Sequence, residues 1–190
     1  MRIIAGAKRG MKLFSPGTDI SRPITDRVKE SLFSVLYKYD MPEGKIAVDL
    51  FCGVGSLGLE ALSRGAKFVT FVEKDTKIAA TLSRNIEKAG FVEQSKVIKA
   101  DAFKIGAPVV GQKYDLVFID PPYSDTRQTG ENSPLARLLD ILAGQTAAEA
   151  IIVIRTHKST ALPDRYGRFA VIERRRWGTM AVNILGQAGV

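Results

Sequence analysis

One segment constrains this chain more than any other: the run Tyr114-Asp115-Leu116-Val117-Phe118-Ile119, followed at once by Asp120-Pro121-Pro122-Tyr123. The apolar part is short, β-branched and aromatic, which predicts a strand buried on both faces. The two prolines cannot continue a hydrogen-bonded ladder. An acid, two rigid residues and an aromatic ring therefore follow the carboxyl end of a central strand, where open α/β sheets bind their ligands.

The chemistry of Asp120–Tyr123 suits the recognition of an amino group. The carboxylate of Asp120 and the carbonyl of Pro121 both accept hydrogen bonds. Two neighbouring acceptors can hold both hydrogens of an exocyclic NH2 group and aim its nitrogen lone pair at an electrophile. Tyr123 offers a face on which a flat base stacks, worth about 1–3 kcal/mol. An Asp-Pro pair alone more often opens a turn, so the prediction depends on the full four-residue order after a buried strand.

Composition places few other limits on the chain. Its 190 residues suffice for one α/β domain with a small appendage. Cys52 is the single cysteine, which excludes an intramolecular disulfide and a cysteine-based metal cluster, and we expect no metal site. No apolar run is long enough for a signal peptide or a membrane span, so we expect a cytoplasmic protein.

The positive charge lies at the two ends of the chain. The net charge is +4 in residues 1–45, −1 in residues 46–154 and +5 in residues 155–190, which gives +8 for the whole chain. This distribution fits a neutral catalytic core whose basic ends dock onto a polyanion. Charge alone fits a merely soluble basic protein equally well.

A glycine loop joins the first core strand, Ile46–Phe51, to a helix. The pattern Gly53-x-Gly55-x-x-Gly58 lets the backbone approach a ligand closely at a helix N-terminus. The same context fits a dinucleotide dehydrogenase. Asp49 disfavours a pyrophosphate there and better suits an amino-acid-like cofactor that carries an ammonium group. Cys52 is interpreted as a small residue in the turn.

Two further acids follow the next two strands. Glu73 ends the second strand, Phe68–Val72, and can accept from both hydroxyls of a ribose. Asp101 ends a short third strand, Val97–Ala100, and can accept from an adenine amino group with Phe103 against the ring. Each acid alone is more often a strand-end cap. With Asp49 and Asp120, however, the carboxyl ends of four strands carry acids.

The remaining segments are assigned more simply. Residues 2–14 read as a hairpin, Thr25 as the N-cap of a helix, residues 124–133 as a mobile loop over the active site, and residues 169–185 as an antiparallel hairpin. His157 follows the fifth strand, where a general-base role is possible but a plain loop residue is favoured.

Taken together, the motifs resemble a class I S-adenosylmethionine methyltransferase. The chain resembles most the bacterial RsmD-type family, which methylates the exocyclic N2 of a guanine in 16S rRNA. The specific signals lie outside the cofactor motif, in Arg2-Ile3-Ile4-Ala5-Gly6 and in Arg22-Pro23-Ile24-Thr25-Asp26-Arg27-Val28-Lys29-Glu30. The chain departs from the family pattern at Ile24, at Cys52-Gly53-Val54 and at Trp177, none of which removes a group that the chemistry needs.

The resemblance implies a fold and a partner. The fold is α/β and Rossmann-like, a seven-stranded, mostly parallel sheet with an antiparallel C-terminal hairpin. A hairpin-helix extension in residues 1–45 faces the RNA, and residues 46–190 form the catalytic domain. We expect a monomer that acts on 16S rRNA, as part of an assembling small ribosomal subunit.

The resemblance also assigns residues to roles. The catalytic group comprises Asp120, Pro121, Pro122 and Tyr123. The group that binds S-adenosylmethionine comprises Asp49, Phe51, Gly53, Gly55, Gly58, Glu73, Lys74, Asp101, Ala102 and Phe103. The group that contacts RNA comprises Arg2, Lys8, Arg9, Lys12, Arg22, Thr25, Arg27, Arg174, Arg175 and Arg176.

Three alternatives remain open at this level. The tetrapeptide serves an adenine N6 amino group in DNA or RNA equally well. An NAD-dependent dehydrogenase fits the glycine loop, although the sequence offers no evident site for the reductant that it needs. A non-catalytic RNA-binding factor would retain the fold and lose cofactor binding.

Overall fold

The computed structural model of the chain describes residues 1–15, 24–108 and 111–187. One mixed sheet of eight strands forms its centre. The strands are β1 (Ile46–Leu50), β2 (Phe68–Glu73), β3 (Ser95–Lys99), β4 (Tyr114–Ile119), β5 (Thr146–His157), β6 (Arg165–Tyr166), β7 (Phe169–Trp177) and β8 (Met180–Gln187).

In the part of the chain that the structure describes, five α-helices cover the sheet. They are α1 (Asp26–Leu36), α2 (Ser56–Ser63), α3 (Thr76–Ala89), α4 (Ala102–Ile105) and α5 (Pro134–Gln145). None of the helices in the described ranges is long and apolar enough to cross a membrane.

The order of the strands creates a crevice in the middle of the sheet. The order is β3-β2-β1-β4-β5-β8-β7-β6, with parallel pairing from β3 through β5 and antiparallel pairing beyond β5. The chain leaves β1 toward β2 and β3 on one side, and returns to β4 and β5 on the other. Such a reversal between β1 and β4 is a topological switch point, where ligands bind outside the carboxyl ends of the strands.

Each face of the sheet has its own apolar core. Phe118 and Val153 pack with residues of α1, α2 and α3, while Val117 and Ile152 pack with residues of α5. The central strands are buried on both faces because their sequences are continuous apolar runs. The Rossmann-like, mostly parallel sheet with an antiparallel C-terminal hairpin that the sequence predicted is confirmed.

Local signals in the sequence determine where the helices begin and end. Asp75 accepts hydrogen bonds from the backbone N–H groups of Lys77 and Ile78, and Gly90 ends α3 with a φ of 71°. Thr25 caps α1 by accepting from the N–H of Val28, as the sequence predicted.

Four details differ from the sequence prediction. The sheet has eight strands rather than seven, because the two residues of β6 pair with β7. The third strand covers Ser95–Lys99, and the fifth extends well beyond its apolar centre. A short helix, α4, begins directly after Asp101.

The segment 124–133 was predicted to be a mobile loop, and the structure shows how it is anchored. Thr126 is fully buried. Thr129 donates its hydroxyl hydrogen to the carbonyl of Ala161 at 2.6 Å, and its own carbonyl accepts from the hydroxyl of Tyr166 at 2.7 Å. These contacts tie the segment to the chain that leads into β6.

The N-terminal extension packs into the same core as the sheet. Its hairpin consists of one antiparallel bridge, between Arg2 and Lys12, around a single turn of 3-10 helix. Ile3 and Leu13 are buried with residues of α1 and α2. Arg22, predicted to contact RNA, lies outside the described residues.

A buried carboxylate on α2, that of Glu60, holds the extension in place. Glu60 is 0% exposed and accepts from the backbone N–H groups of Ile4 (2.9 Å) and Ala5 (3.1 Å). It also pairs with Lys29 of α1 at 3.2 Å and with Arg64 at 2.8 Å. Two cations and two backbone donors thus satisfy one buried carboxylate, as a buried charge requires.

This arrangement predicts a large cost for removing Glu60. Glu60→Ala leaves Lys29 and Arg64 without their buried anion and should lower the free energy of unfolding by about 3–5 kcal/mol. Denaturant unfolding followed by circular dichroism measures this change. The control is Glu87→Ala, because Glu87 is exposed on α3 and its loss should change the stability by less than about 0.5 kcal/mol. Equal stability losses in the two variants would contradict the role of Glu60.

Candidate active site

The acids predicted at the strand ends come together at one edge of the sheet. Leu50 of β1 is in register with Val72 of β2 on one side and with Ile119 of β4 on the other. Glu73 and Asp120 therefore follow matching positions on the two strands that flank β1, and Asp49 lies near the end of β1 between them. Asp101 follows β3, one strand further out, so the sheet gathers all four carboxylates.

The glycine loop between β1 and α2 depends on its glycines for specific reasons. Gly53 and Gly55 have φ values of 55° and 86°, which side chains disfavour. A Cβ on Gly58 would lie 2.3 Å from the ring of Phe71, so the absence of a side chain lets α2 pack against β2. A Cβ on Gly53 would meet no atom within 4 Å. The open side of the loop is thus at Gly53, where a ligand can approach the backbone.

Asp49 holds the start of α2 from within the sheet. It is 1% exposed, and its Oδ2 accepts from the backbone N–H of Gly58 at 2.8 Å. The pKa of Asp49 is raised to about 8, mainly by burial and also by the charges of Asp120 and Glu73, while the Gly58 hydrogen bond acts to lower it. A cation bound near Asp49 would therefore stabilise its ionised form.

Glu73 and Asp101 are both engaged with backbone donors. Glu73 accepts from the N–H of Gly53 at 3.0 Å and from that of Asp75 at 2.9 Å, which braces the glycine loop. Asp101 caps α4 by accepting from the N–H of Phe103 at 3.0 Å. A carboxylate has about four acceptor positions, so each acid can serve as a cap and still receive a ligand donor.

Two aromatic rings form an apolar wall beside these acids. The rings of Phe51 and Phe103 are 4.7 Å apart and tilted by 56°. Phe51 has a φ of 59°, which is unusual for a residue with a side chain and marks a constrained position. Of the other residues predicted to bind cofactor, Lys74 is exposed and Ala102 is buried.

Asp120 is paired with Arg155, a residue to which the sequence analysis gave no role. Nε of Arg155 donates to Oδ1 of Asp120 at 2.5 Å, and the two side chains are 12% and 18% exposed. Burial raises the pKa of Asp120, whereas the charge and the hydrogen bond of Arg155 act to lower it. The pairing was foreseeable in part, because Ile119 and Ile154 are neighbours in the register of β4 and β5.

Tyr123 and His157 line an open pocket next to Asp120. Their rings are 5.6 Å apart in an edge-to-face arrangement, and the pocket has a volume of about 250 Å³. Ser159 approaches Nδ1 of His157 with its hydroxyl at 2.7 Å and its N–H at 3.3 Å. The structure therefore places His157 against Tyr123, the residue predicted to stack on the base. Nothing in the sequence indicated this contact.

The predicted RNA contacts of the extension fall into two groups. Arg9, Lys12 and Arg27 are exposed, and Arg9 lines a small pocket together with Arg2. Arg2 pairs with Asp26 at 2.6 Å, and Thr25 uses its side-chain oxygen as a helix cap. The exposed arginines and lysines of the hairpin remain the better candidates for phosphate contacts.

Two cations of α3 extend this basic surface and were missed in the sequence. Arg84 and Lys88 lie four residues apart, on one side of the helix, and each is 4.5 Å from the ring centre of Phe14. Phe14 is 39% exposed, and its backbone N–H donates to Oδ1 of Asn85 while its carbonyl accepts from Nδ2 of Asn85. We call Lys12, Phe14, Arg84 and Lys88 the hairpin patch, a rigid cationic and aromatic surface.

The three consecutive arginines of β7 do not form a single patch. Successive side chains of a strand point to opposite faces, so Arg175 is separated from Arg174 and Arg176. Arg174 pairs with Asp164 at 2.8 Å, and Arg175 pairs with Glu173 at 2.5 Å. The three arginines were predicted to contact RNA together, but the strand directs their side chains to two faces of the sheet.

The raised pKa of Asp49 makes a prediction about stability and pH. The ordinary pKa of an aspartate, about 4, applies to the unfolded chain, and the folded pKa is about 8. The folded protein binds the extra proton between these values, so stability is lost as pH rises toward 8. Asp49→Asn keeps an acceptor for Gly58 and has no charge to bury. The free energy of unfolding of Asp49→Asn, minus that of the wild type, should be larger at pH 9 than at pH 5 by at least about 1.4 kcal/mol, the equivalent of one pKa unit.

Denaturant unfolding of both proteins at both pH values tests this prediction. The same difference between variant and wild type at pH 5 and at pH 9 would contradict it.

Comparison with known proteins gives the site its family context. The family model described as "Conserved hypothetical protein 95" matches residues 1–186. Ribosomal RNA small subunit methyltransferase D of Escherichia coli K12 is 35% identical over 167 residues, 86% of this chain and 78% of that protein. A solved structure from E. coli, provisionally named the methyltransferase yhhF, is 29% identical, with a TM-score of 0.81 over 98% of this chain and 97% of that one.

A third protein shares the fold at lower identity. The RNA methyltransferase from Salinibacter ruber, solved in complex with S-adenosyl-L-homocysteine, is 16% identical, with a TM-score of 0.64 over 89% of this chain and 96% of that one. The family match spans nearly the whole chain, including the extension and the C-terminal hairpin. The chain therefore belongs to the family described as Conserved hypothetical protein 95, the RsmD-type methyltransferases.

Proposed function

We propose that this methyltransferase transfers a methyl group from S-adenosylmethionine to the exocyclic N2 amino group of a guanine in 16S rRNA. One observation carries the proposal: the acceptors Asp120 and Pro121 stand at the switch point, next to the glycine loop and the acids of β1 and β2. A held amino group and a bound methyl donor would thus be neighbours.

The residues around the glycine loop fit S-adenosylmethionine. The open side of Gly53 admits the methionine part to the backbone, and the acidic surroundings suit its ammonium group. Glu73 would accept from the ribose hydroxyls, and Asp101 from the adenine amino group, with Phe51 and Phe103 against the ring. When bound, S-adenosylmethionine supplies an electrophilic methyl group on a positively charged sulfur.

The catalytic tetrapeptide would act by positioning. The carboxylate of Asp120 and the carbonyl of Pro121 accept the two amino hydrogens. The nitrogen lone pair is thereby drawn out of conjugation with the base and directed at the methyl group. Holding the reacting atoms in line lowers the entropic part of the barrier. Tyr123 stacks on the base, which must leave its own stack to reach the pocket, and His157 supports the Tyr123 ring.

The choice of guanine in 16S rRNA rests on the family pattern. The tetrapeptide alone serves either a guanine or an adenine amino group. The E. coli relative is named for the small-subunit rRNA, and its similarity covers most of this chain. As part of the same proposal, the enzyme acts as a monomer in the cytoplasm, on an assembling small subunit.

The acceptor test separates these choices. The protein is incubated with methyl-labelled S-adenosylmethionine and with small subunits lacking their native methylation, the same rRNA without protein, or duplex DNA. We expect label in the rRNA, released on digestion as N2-methylguanosine, with subunits preferred over naked rRNA. Label recovered as N6-methyladenine would instead support the adenine alternative. Cofactor binding without any methylation would refute the proposed substrate.

A substitution at Asp120 tests the catalytic role. Asp120→Ala removes one of the two acceptors for the amino group and should lower kcat by roughly 100- to 1,000-fold, the scale of removing one positioned transition-state contact. The dissociation constant of S-adenosylmethionine, measured by calorimetry, should change by less than about threefold, because the glycine loop is untouched. Retained turnover would refute the assigned role.

The hairpin patch predicts a separate effect on RNA affinity. The double variant Arg84→Ala/Lys88→Ala should weaken RNA binding and reduce the salt dependence, the slope of log K against log salt, by about 1.5–2. Filter binding at several salt concentrations measures both. The control is Arg137→Ala/Lys113→Ala, in which Arg137 lies on α5, on the opposite face of the sheet. Equal effects of the two double variants would contradict a specific role for the patch.

A further inference from the structure

We propose that Arg155 is a positioning residue that orients Asp120 and keeps it an ionised hydrogen-bond acceptor for the substrate amino group. This inference rests on the proposed amino-group chemistry of the same site. It assigns a role to a residue outside the Asp-Pro-Pro-Tyr segment.

The geometry of the pair makes this role specific. Arg155 belongs to β5, and Asp120 follows β4 directly, so the parallel register of the two strands sets the donor beside the acid. Nε of Arg155 contacts Oδ1 of Asp120 at 2.5 Å, with both side chains largely removed from solvent. A charge-assisted contact of this kind fixes the plane of the carboxylate. The carboxylate retains acceptor positions for an amino hydrogen.

Charged groups from three strands surround Asp120. Asp49 on β1 is a second buried acid, and its own pKa is raised by the charges of Asp120 and of Glu73 on β2. On the other side lie Arg155 and His157 of β5, and His157 lines a pocket together with Tyr123. Among these described neighbours Arg155 is the residue that contacts the Asp120 carboxylate.

Protonation of Asp120 would reverse its function. A protonated carboxyl donates a hydrogen bond, so it would compete with the amino group instead of receiving its hydrogen. Burial raises the pKa of Asp120, and the charge and hydrogen bond of Arg155 counteract this. Arg155 thereby favours the ionised acid where burial favours the neutral form.

The same pairing holds Asp120 in place as the acceptor during the transfer. The amino nitrogen forms a bond to the methyl carbon, the bond from carbon to sulfur breaks, and its electron pair stays on sulfur. The nitrogen then carries a positive charge until one of its N–H bonds breaks. A positively charged exocyclic nitrogen is strongly acidic, so water suffices as the acceptor of this proton. Asp120, fixed by Arg155, keeps the nitrogen in position through these steps.

The pH dependence of kcat tests the inference through three variants. Arg155→Gln removes the charge, Arg155→Lys keeps it, and Arg137→Gln removes an exposed arginine elsewhere. We expect the acid limb of the Arg155→Gln profile to move to higher pH by at least one unit. Below the apparent pKa of this variant, its kcat should then rise about tenfold per pH unit and approach the kcat of the wild type. Arg155→Lys should keep the limb near the wild-type position, and Arg137→Gln should match the wild type.

A second measurement does not depend on turnover. Carbon-13 NMR of the Asp120 carboxyl, with labelled aspartate and with Asp120→Asn for assignment, follows its titration directly. We expect the Asp120 pKa to be higher in Arg155→Gln than in the wild type. The same pKa in both proteins, or a deficit in kcat that is equal at every pH, would overturn the inference. If no acceptor is methylated, the proposed function fails, and the NMR titration still decides the role of Arg155.

Discussion

The buried carboxylate of Glu60 is the interaction on which the rest of the molecule depends. It joins the backbone of the N-terminal hairpin, Lys29 of α1 and Arg64 to the helix that begins at the glycine loop. Asn85 adds a second connection, because its amide donates both to the carbonyl of Phe14 and to that of Val54 within the loop. The surface proposed to hold RNA and the loop proposed to hold the methyl donor are therefore parts of one packed body.

The acids at the switch point show a balance between stability and chemistry. Asp49 is held neutral by burial at moderate pH, and Asp120 has Arg155 beside it to favour its ionised form. Two acids in one site thus differ in charge because their partners differ, which is the usual way in which a fold gives neighbouring carboxylates separate roles. The nearly neutral middle of the chain contains the acids of this site, and the net positive charge lies in the two ends of the chain.

The sequence was sufficient for the features that depend on local patterns. Continuous apolar runs predicted the central strands, Thr25 was predicted as the N-cap that begins α1, and acids after successive strands predicted the clustered carboxylates. Features that depend on packing could not be predicted in this way. Glu60 and Lys29 are 31 positions apart and resemble ordinary helix charges until α1 and α2 are packed together. Arg155 acquires its role only through the pairing of β4 with β5, and Arg84 through the nearby Phe14 ring.

The central claim is that Asp120 holds a guanine amino group next to the bound methyl donor. The most direct measurement is calorimetric binding of a bisubstrate compound in which guanine N2 is linked to the adenosyl-methionine skeleton, compared with its adenine N6 counterpart. The account predicts that the guanine compound binds at least about 100-fold more tightly than S-adenosylhomocysteine alone. It also predicts that Asp120→Ala removes most of this gain. Equal affinity for the guanine compound and S-adenosylhomocysteine, or a preference for the adenine compound, would contradict it.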